Sequence, residues 1–261
     1  MRVLFIGDIV GQPGRDILRQ QLRNIQEKFK IDFTVANGEN AAGGAGINKK
    51  IFEEISNYGV DVVTMGNHVF DKKEVLSFIN SEPRLIRPAN YPPGVPGKGW
   101  TIYSIDNRVK IAVVNLAGRV YLPALDCPFQ TIDKIYAQIK EITPYLILDF
   151  HAEATSEKQA MGWYLDGRFS AVLGTHTHIQ TADGRILNRG TAYITDVGMT
   201  GPRDSVLGVD KDLVIKKFTT HMPVRFEVAH GNIQLNAVIL EFNEKGQAVS
   251  IFPFQSIQES I

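Results

Sequence analysis

The chain has 261 residues, of which 44% are hydrophobic and 21% charged, and its 28 basic and 28 acidic side chains balance. This balance disfavours a nucleic-acid polymer as an obligatory partner, because proteins that bind such polymers carry a basic surface. The first apolar run ends at Ile6, too early for a signal peptide, and no later run approaches the roughly 18 residues of a membrane-spanning helix. Cys127 is the single cysteine, which excludes an intrachain disulfide. We therefore expect a cytoplasmic protein without a membrane partner.

Short apolar runs and segments with helical spacing alternate over the first 80 residues. The expected order is a strand at 2–7, a helix at 15–29, a strand at 31–36, a helix near 48–57 and a strand at 60–65. Asp71 with Glu74 three positions later has the pattern of a capping box, which predicts another helix start.

The middle of the chain predicts a β-hairpin, and the alternation then resumes. The expected elements are strands at 100–105 and 109–116 turning at Asp106-Asn107, a helix near 131–141, a strand at 145–150 and a helix capped by Ser156 and Gln159. Most segments after 170 have the pattern of strands, ending with 234–241 and 248–253. No linker interrupts residues 1–261, so we expect one α/β domain of two packed mixed sheets with helices outside.

Five of the apolar runs end directly in side chains that can bind a metal ion. They end at Asp8, Glu39-Asn40, Asn67-His68, His151 and His176-Thr177-His178. In open α/β sheets, ligands gather at the carboxyl ends of the strands, so these side chains are expected to converge on one site. Alternation along an extended segment would point His176 and His178 to the same side.

Carboxylate, amide and imidazole groups without a thiolate suit manganese, iron or zinc, and they argue against a structural zinc site. The five strand ends carry eight candidate side chains, which are more ligands than one ion needs. We therefore expect two ions about 3.5–4 Å apart, with Glu39 as the bridge. Two divalent ions add +4, and Asp8 and Glu39 subtract 2, so a bridging hydroxide leaves about +1. A phosphodiester monoanion would neutralise that charge.

Other interpretations of single residues are weaker than this joint pattern. Asp8, Asn40 or Asn67 alone would be interpreted as a cap or turn residue. The glycines at 7, 11 and 14 follow a strand, as in a dinucleotide site, but they do not match G-x-G-x-x-G. His221 and His230 lie outside the clusters, and we interpret both as structural or surface residues.

At these motifs the chain resembles the calcineurin-like metallophosphoesterases. The matching segments are Gly7-Asp8, Gly38-Glu39-Asn40, Gly66-Asn67-His68, His151 and Gly174-Thr175-His176-Thr177-His178. Two departures narrow the resemblance: Val10 stands where the family has a histidine ligand, and the bridging acid is Glu39, followed by Asn40. This combination, with Thr195-Asp196-Val197-Gly198-Met199-Thr200-Gly201-Pro202, is similar to the YmdB-like branch of bacterial phosphodiesterases.

The resemblance implies a four-layer α/β/β/α sandwich and two divalent or trivalent metal ions, with iron or manganese favoured over zinc because Asn40 makes one site richer in oxygen. It implies one ion held by Asp8, Glu39, Asn40 and His178. The other ion would be held by Glu39, Asn67, His151 and His176.

The implied activity is hydrolysis of small phosphodiesters, namely 2′,3′- or 3′,5′-cyclic nucleotides, by a metal-bridging hydroxide. His68 directly follows a ligand and is predicted to be the general acid, the alternative being a structural histidine. Arg203 is predicted to contact phosphate or ribose. A phosphomonoesterase or nucleotidase, and a non-catalytic metal- or nucleotide-sensing regulatory protein, stay open as alternatives. A homo-oligomer is compatible with the sequence.

Overall fold

A computed structural model of the chain describes residues 1–106 and 109–259. Within these ranges the α-helices are α1 (Gly11–Phe29), α2 (Lys49–Asn57), α3 (Pro128–Ile139), α4 (Thr155–Tyr164) and α5 (Lys211–Thr220), with a 3₁₀ helix at Lys73–Ser77. The strands of the first half are β1 (Arg2–Ile6), β2 (Asp8–Ile9), β3 (Phe33–Asn37), β4 (Val62–Thr64), β5 (Leu85–Ile86), β6 (Trp100–Ile105) and β7 (Val109–Ala117). Those of the second half are β8 (Leu146–His151), β9 (Ala171–Thr175), β10 (Arg185–Ile186), β11 (Ala192–Ile194), β12 (Met199–Pro202), β13 (Ile233–Phe242) and β14 (Ala248–Gln258).

The strands form two mixed sheets. Sheet I has the order β2-β12-β13-β1-β3-β4-β5, with β14 paired to β13. Sheet II has the order β10-β11-β9-β8-β7-β6. Strands β1, β3 and β4 run parallel in sheet I, as do β7, β8 and β9 in sheet II. Within each sheet, the carboxyl ends of these parallel strands therefore lie at one edge.

Three apolar cores separate four layers. The outer core of sheet I packs side chains of α1 and α2 against Leu4 and Ile6. The central core joins the two sheets, for example Phe5 of β1 with Val113 of β7. The third core packs α3 and α4 against the other face of sheet II. Because β1 is buried on both faces, it is a continuous apolar run rather than an alternating one. The predicted four-layer α/β/β/α sandwich is confirmed.

Local capping signals were less reliable than the apolar runs. The 3₁₀ helix begins after Lys72, and the Asp71 side chain contacts His68 instead of capping that helix. Helix α4 begins after Ala154, which contributes no side-chain cap, so the predicted box of Ser156 and Gln159 is wrong. The first helix start was misplaced because the Asp71 carboxylate is taken up by a neighbouring histidine, and the second because α4 begins one residue earlier, at Thr155.

Helix α5 lies in a region predicted to be mostly strand. Its N-cap is Asp210, whose carboxylate accepts hydrogen bonds from the backbone N–H groups of Asp212 and Leu213. The hairpin of β6 and β7 is confirmed by their antiparallel pairing, while Asn107 of its predicted turn lies outside the described residues. Among the described residues, none of the helices combines the length and apolar character that crossing a bilayer requires. The single-domain organisation stays a prediction.

Candidate metal centre

The structure brings the seven predicted ligands to one edge of the two sheets. Asp8 begins β2, Glu39 and Asn40 follow β3, and His151 ends β8. Asn67 follows β4, while His176 and His178 follow β9. Sheet I supplies the carboxylates and amides, and sheet II supplies the imidazoles. The site therefore lies where the carboxyl ends of both sheets meet.

His151 is at the centre of the first group of contacts. Its Nε2 lies 3.0 Å from Glu39 Oε1, 3.2 Å from Asn67 Oδ1 and 3.0 Å from His176 Nδ1. The other ring nitrogen, Nδ1, lies 2.8 Å from Thr175 Oγ1, whose hydroxyl donates to Asp149. Since that hydroxyl already donates its hydrogen bond to Asp149, it acts as the acceptor for the Nδ1–H group of His151. In the neutral ring, Nε2 then carries the lone pair that faces the centre.

His176 is oriented by a similar contact. Its Nε2 lies 3.0 Å from a carboxylate oxygen of Glu153, which can only accept, so the Nε2 proton points to Glu153. The lone pair of Nδ1 then faces His151. Candidate ligand atoms of Glu39, His151 and His176 all lie within 4.8 Å of one another.

The second group is formed by Asn40 and His178. His178 Nδ1 donates to the carbonyl of Leu207 at 2.9 Å, which leaves the lone pair on Nε2. That lone pair faces Asn40 Oδ1 at 3.3 Å, while the amide nitrogen of Asn40 donates to Gly44 O. Two acceptors therefore face each other without a proton between them. Such an arrangement fits a cation better than a hydrogen bond.

One of the two carboxylate oxygens of Asp8 lacks a hydrogen-bond donor among the described residues. One carboxylate oxygen accepts the backbone N–H of His176 at 3.2 Å, but Oδ1 is buried without a hydrogen-bond partner among the described residues. A buried polar atom of this kind is costly unless something binds it. Facing lone pairs and this orphaned oxygen together fit metal binding, although the ligand role of each residue stays a prediction.

The charges of the site shift several pKa values. Burial raises the pKa of Asp8 well above its usual value. Burial alone would raise the pKa of Glu39, but His151 outweighs it and lowers that pKa to about 2. Burial alone would likewise lower the pKa of His151, but the charge of Glu39 and the hydrogen bond with it raise that pKa to about 9. Burial and the neighbouring His151 lower the pKa of His176 to about 3. His151 is thus the proton acceptor that competes with a metal ion at this centre.

Gly66, in the loop after β4, lies directly against two of the candidate ligands. A methyl group at this position would overlap the Glu39 carboxylate and the His151 ring. A glycine is therefore required in front of Asn67 by space alone. Glycine is required at positions 7 and 14 for a similar reason, because a Cβ at either would overlap the backbone near β12. These glycines therefore allow close packing and do not form a phosphate-binding loop.

His68 does not join the ligand atoms. Its backbone N–H donates to Glu39 at 3.3 Å, while its ring Nδ1 lies 2.7 Å from Asp71 Oδ2. Asp71 therefore fixes the ring and leaves Nε2 available to a substrate. Arg203 follows the end of β12 and is exposed, with its backbone N–H bonded to Asn232. Its contact with substrate stays a prediction.

The turn after β9 differs from the predicted extended segment. His176 and His178 have φ values of 101° and 66°, so both lie in the left-handed region rather than in a strand. They reach the two groups of contacts by a turn, not by alternation. Such strained backbone needs support from surrounding contacts.

That support comes from buried charges that sequence reasoning missed. Asp196 accepts from Thr177 N and Oγ1 and from Lys158 Nζ. Asp149 accepts from Thr175 and from Asn37, whose own side-chain oxygen accepts the N–H of Glu39. A charged residue within an otherwise apolar strand, such as Asp149, was the available signal, since such residues are seldom buried without a role.

Comparison with solved structures gives the class of protein. The chain is similar to a crystal structure of a hypothetical protein from Thermus thermophilus, with a TM-score of 0.93 and 42% identity over 99% of this chain and 100% of that one. It is also similar to a crystal structure of a novel phosphatase from Mycoplasma pneumoniae, with a TM-score of 0.93 and 34% identity over 99% of this chain and 94% of that one. The fold is that of the metallophosphoesterases.

Sequence comparison then gives the family. The profile of the family described as YmdB-like protein matches residues 4–254. A Bacillus subtilis (strain 168) protein named 2′,3′-cyclic-nucleotide 2′-phosphodiesterase is 55% identical over 245 residues, which cover 94% of this chain and 92% of that protein. The chain belongs to the YmdB-like family, and the resemblance inferred from its motifs is confirmed.

Proposed function

We propose that the chain is a metal-dependent phosphodiesterase that hydrolyses small phosphodiesters, with 2′,3′-cyclic nucleotides preferred over 3′,5′-cyclic nucleotides. The observation that carries this proposal is that candidate ligand atoms of His151, His176, Asn40 and His178 face one another at 3.0–3.3 Å, while a protein partner holds each imidazole at its other ring nitrogen. The preference among diesters is supported by the name of the Bacillus subtilis relative.

We assign one ion to Asp8, Glu39, Asn40 and His178, and the other to Glu39, Asn67, His151 and His176. The oxygen-rich first set favours iron or manganese over zinc. Bound there, two such ions would supply a nucleophile near neutral pH and stabilise the negative charge that develops on the phosphoryl oxygens.

The chain itself supplies the proton for the leaving group. In the imidazolium form of His68, Nδ1–H donates to Asp71 and Nε2–H remains for the departing oxygen. An alkoxide is a poor leaving group, so proton transfer to it is worth more for a nucleotide diester than for an activated ester. Cleavage of the 2′ P–O bond of a 2′,3′-cyclic nucleotide yields the 3′-phosphate.

A substrate panel with manganese- or iron-loaded protein tests the proposal. Adenosine 2′,3′-cyclic phosphate is expected to have the highest kcat/KM, followed by the 3′,5′-cyclic diester, with 3′- and 5′-AMP turned over more slowly. Preference for the monoesters would instead support the phosphomonoesterase alternative. Tight metal binding without turnover of any phosphoester would support a regulatory protein.

The role of His68 is tested by His68→Ala, with His230→Ala as the matched control because His230 is exposed and outside the site. Loss of a general acid is expected to lower kcat by about 10²–10⁴-fold while metal content is retained. A variant that loses metal in proportion to activity would show that His68 supports the site structurally. On an ester with an activated leaving group, such as 4-nitrophenyl, His68→Ala is expected to lower kcat by a smaller factor, because such a leaving group has less need of a proton.

A further inference from the structure

Tyr91 lies beside the candidate centre although no motif points to it. Its ring contacts Phe70, two residues after His68, with ring centroids 5.7 Å apart and planes at 89°. Burial raises the pKa of Tyr91, and the charges of Glu39 and Asp71 raise it further. A raised pKa keeps the phenol neutral, so its hydroxyl can donate a hydrogen bond.

The backbone that carries Tyr91 is held rigidly against the strand that ends next to His151. The buried side chain of Asn90 accepts from Ala117 N at 2.9 Å and donates to Ala117 O at 2.8 Å. Ala117 is the register partner of His151 in the parallel pair of β7 and β8. Tyr91 is therefore fixed between the His68 loop and the end of β8.

The ring itself is not free to stack on a nucleobase. Phe70 meets it edge to face, and the guanidinium of Arg87 lies over it at 5.8 Å from the centroid. Arg87 is in turn held by three hydrogen bonds to the carbonyls of Pro88, Val95 and Pro96. What remains available to a ligand is the hydroxyl.

That hydroxyl makes no hydrogen bond within the described part of the chain. The hydroxyls of the partly buried Tyr58 and Tyr103 bond carboxylates, whereas those of Tyr136 and Tyr145, like that of Tyr91, make no hydrogen bond among the described residues. Of these three unbonded tyrosines, Tyr91 is the one held between the His68 loop and the end of β8. Its hydroxyl is therefore available to a phosphoester bound at the candidate centre.

We propose that Tyr91 is a substrate-binding residue whose hydroxyl donates a hydrogen bond to a phosphoryl oxygen. This rests on the proposed function, since a phosphoester must occupy the centre. A neutral phenol suits the place, because it can donate a hydrogen bond to an anionic phosphoryl oxygen. The ring, covered by Phe70 and Arg87, is expected to contribute nothing to recognition of the base.

The test compares Tyr91→Phe with the matched control Tyr103→Phe, which removes the hydroxyl that bonds Asp61 just before β4, away from the site. Four quantities are measured on manganese-loaded proteins: metal content, Tm, the Kd of inorganic phosphate by calorimetry, and kcat and KM. The substrates are adenosine 2′,3′-cyclic phosphate and the base-free methyl riboside 2′,3′-cyclic phosphate.

For Tyr91→Phe we expect kcat/KM to fall about 10- to 100-fold on both substrates, as for loss of a hydrogen bond to a charged group. Phosphate Kd should rise at least about fivefold, with metal content unchanged. Unchanged phosphate affinity and kcat/KM would overturn the assignment, as would an effect confined to the substrate with a base. Loss of metal or a large fall in Tm would show a structural role and overturn it too.

The two proposals can fail separately. If the wild-type protein hydrolyses no phosphodiester, the proposed function is wrong, and the Kd of inorganic phosphate for Tyr91→Phe still decides whether the hydroxyl binds phosphate. If the wild type is active and Tyr91→Phe behaves like the control in every measurement, the assignment of Tyr91 alone is wrong.

Discussion

Lys158 Nζ lies 2.7 Å from Asp196 Oδ2, and both side chains are buried. The same carboxylate accepts the N–H and hydroxyl of Thr177, while its other oxygen accepts the N–H of Gly198. This ion pair therefore ties α4 to the turn that carries His176 and His178. Because Thr177 lies between the two histidines, the pair supports the backbone from which both imidazoles project.

Replacing the buried lysine, Lys158→Met, is expected to destabilise the protein by about 3–5 kcal/mol, since it leaves the Asp196 charge buried without a partner. Chemical denaturation measures this loss, and metal content should fall with it. Lys49→Met is the control, because Lys49 and Glu53 form an exposed pair at 3.9 Å. Its expected cost is below about 1 kcal/mol. Equal costs for the two variants would contradict the structural role of Lys158.

Gly66→Ala should abolish metal binding, because the added methyl overlaps the Glu39 carboxylate and the His151 ring. Metal content after reconstitution measures the effect. Gly94→Ala is the matched control: nothing lies within 4 Å of a Cβ there, and only the positive φ of 86° is strained. That strain costs about 1–2 kcal/mol and should leave metal content intact. A Gly66→Ala protein with a full complement of metal would mean that the centre lies elsewhere.

Removal of the metal ions is expected to abolish turnover and lower Tm. A ligand at 100 times its Kd stabilises the folded state by about 2.7 kcal/mol, which for a chain of this size corresponds to about 5–10 °C. Differential scanning calorimetry with and without a chelator measures the shift. Glu39→Gln should show a much smaller chelator effect, whereas the exposed Glu244→Gln should respond like the wild type. Chelator-independent Tm and activity would exclude a metal-dependent enzyme.

Asp183 should make the fold sensitive to acid. Burial alone would raise its pKa, but hydrogen bonds from Thr181 and Thr195 lower it below the usual value. Because the folded pKa is the lower one, its stabilisation is present above the unfolded pKa of about 3.9. It is lost as the pH falls through the folded pKa.

Denaturation of Asp183→Asn and wild type between pH 7 and pH 3 tests this dependence. The variant should be less stable than the wild type at neutral pH, and the difference should shrink below about pH 4. A difference that stays constant over this range would show that the hydrogen bonds do not depend on the charge of Asp183.

Much of the layer structure could be predicted because the parallel strands are buried on both faces. Each is then a short, nearly continuous apolar run, as at β1, β8 and β9, and the residue that ends it marks the functional edge. The capping box at Asp71 failed because its carboxylate contacts His68, and the one at Ser156 failed because this residue already lies inside α4. The helix α5 was missed because Ile215 and Phe218 are exposed, so its apolar residues do not mark one buried face.

By itself, the sequence determined the fold class, which depends on the order of apolar runs and helical segments. It also determined the seven candidate ligands, which depend on the residues that end those runs. Only the tertiary structure decided which nitrogen of each histidine faces the centre, because this depends on Thr175, Glu153 and Leu207. The same holds for the Lys158–Asp196 pair and for Tyr91. These contacts join residues far apart in the chain, and their distances are set by how two sheets and a helix pack, which no local pattern records.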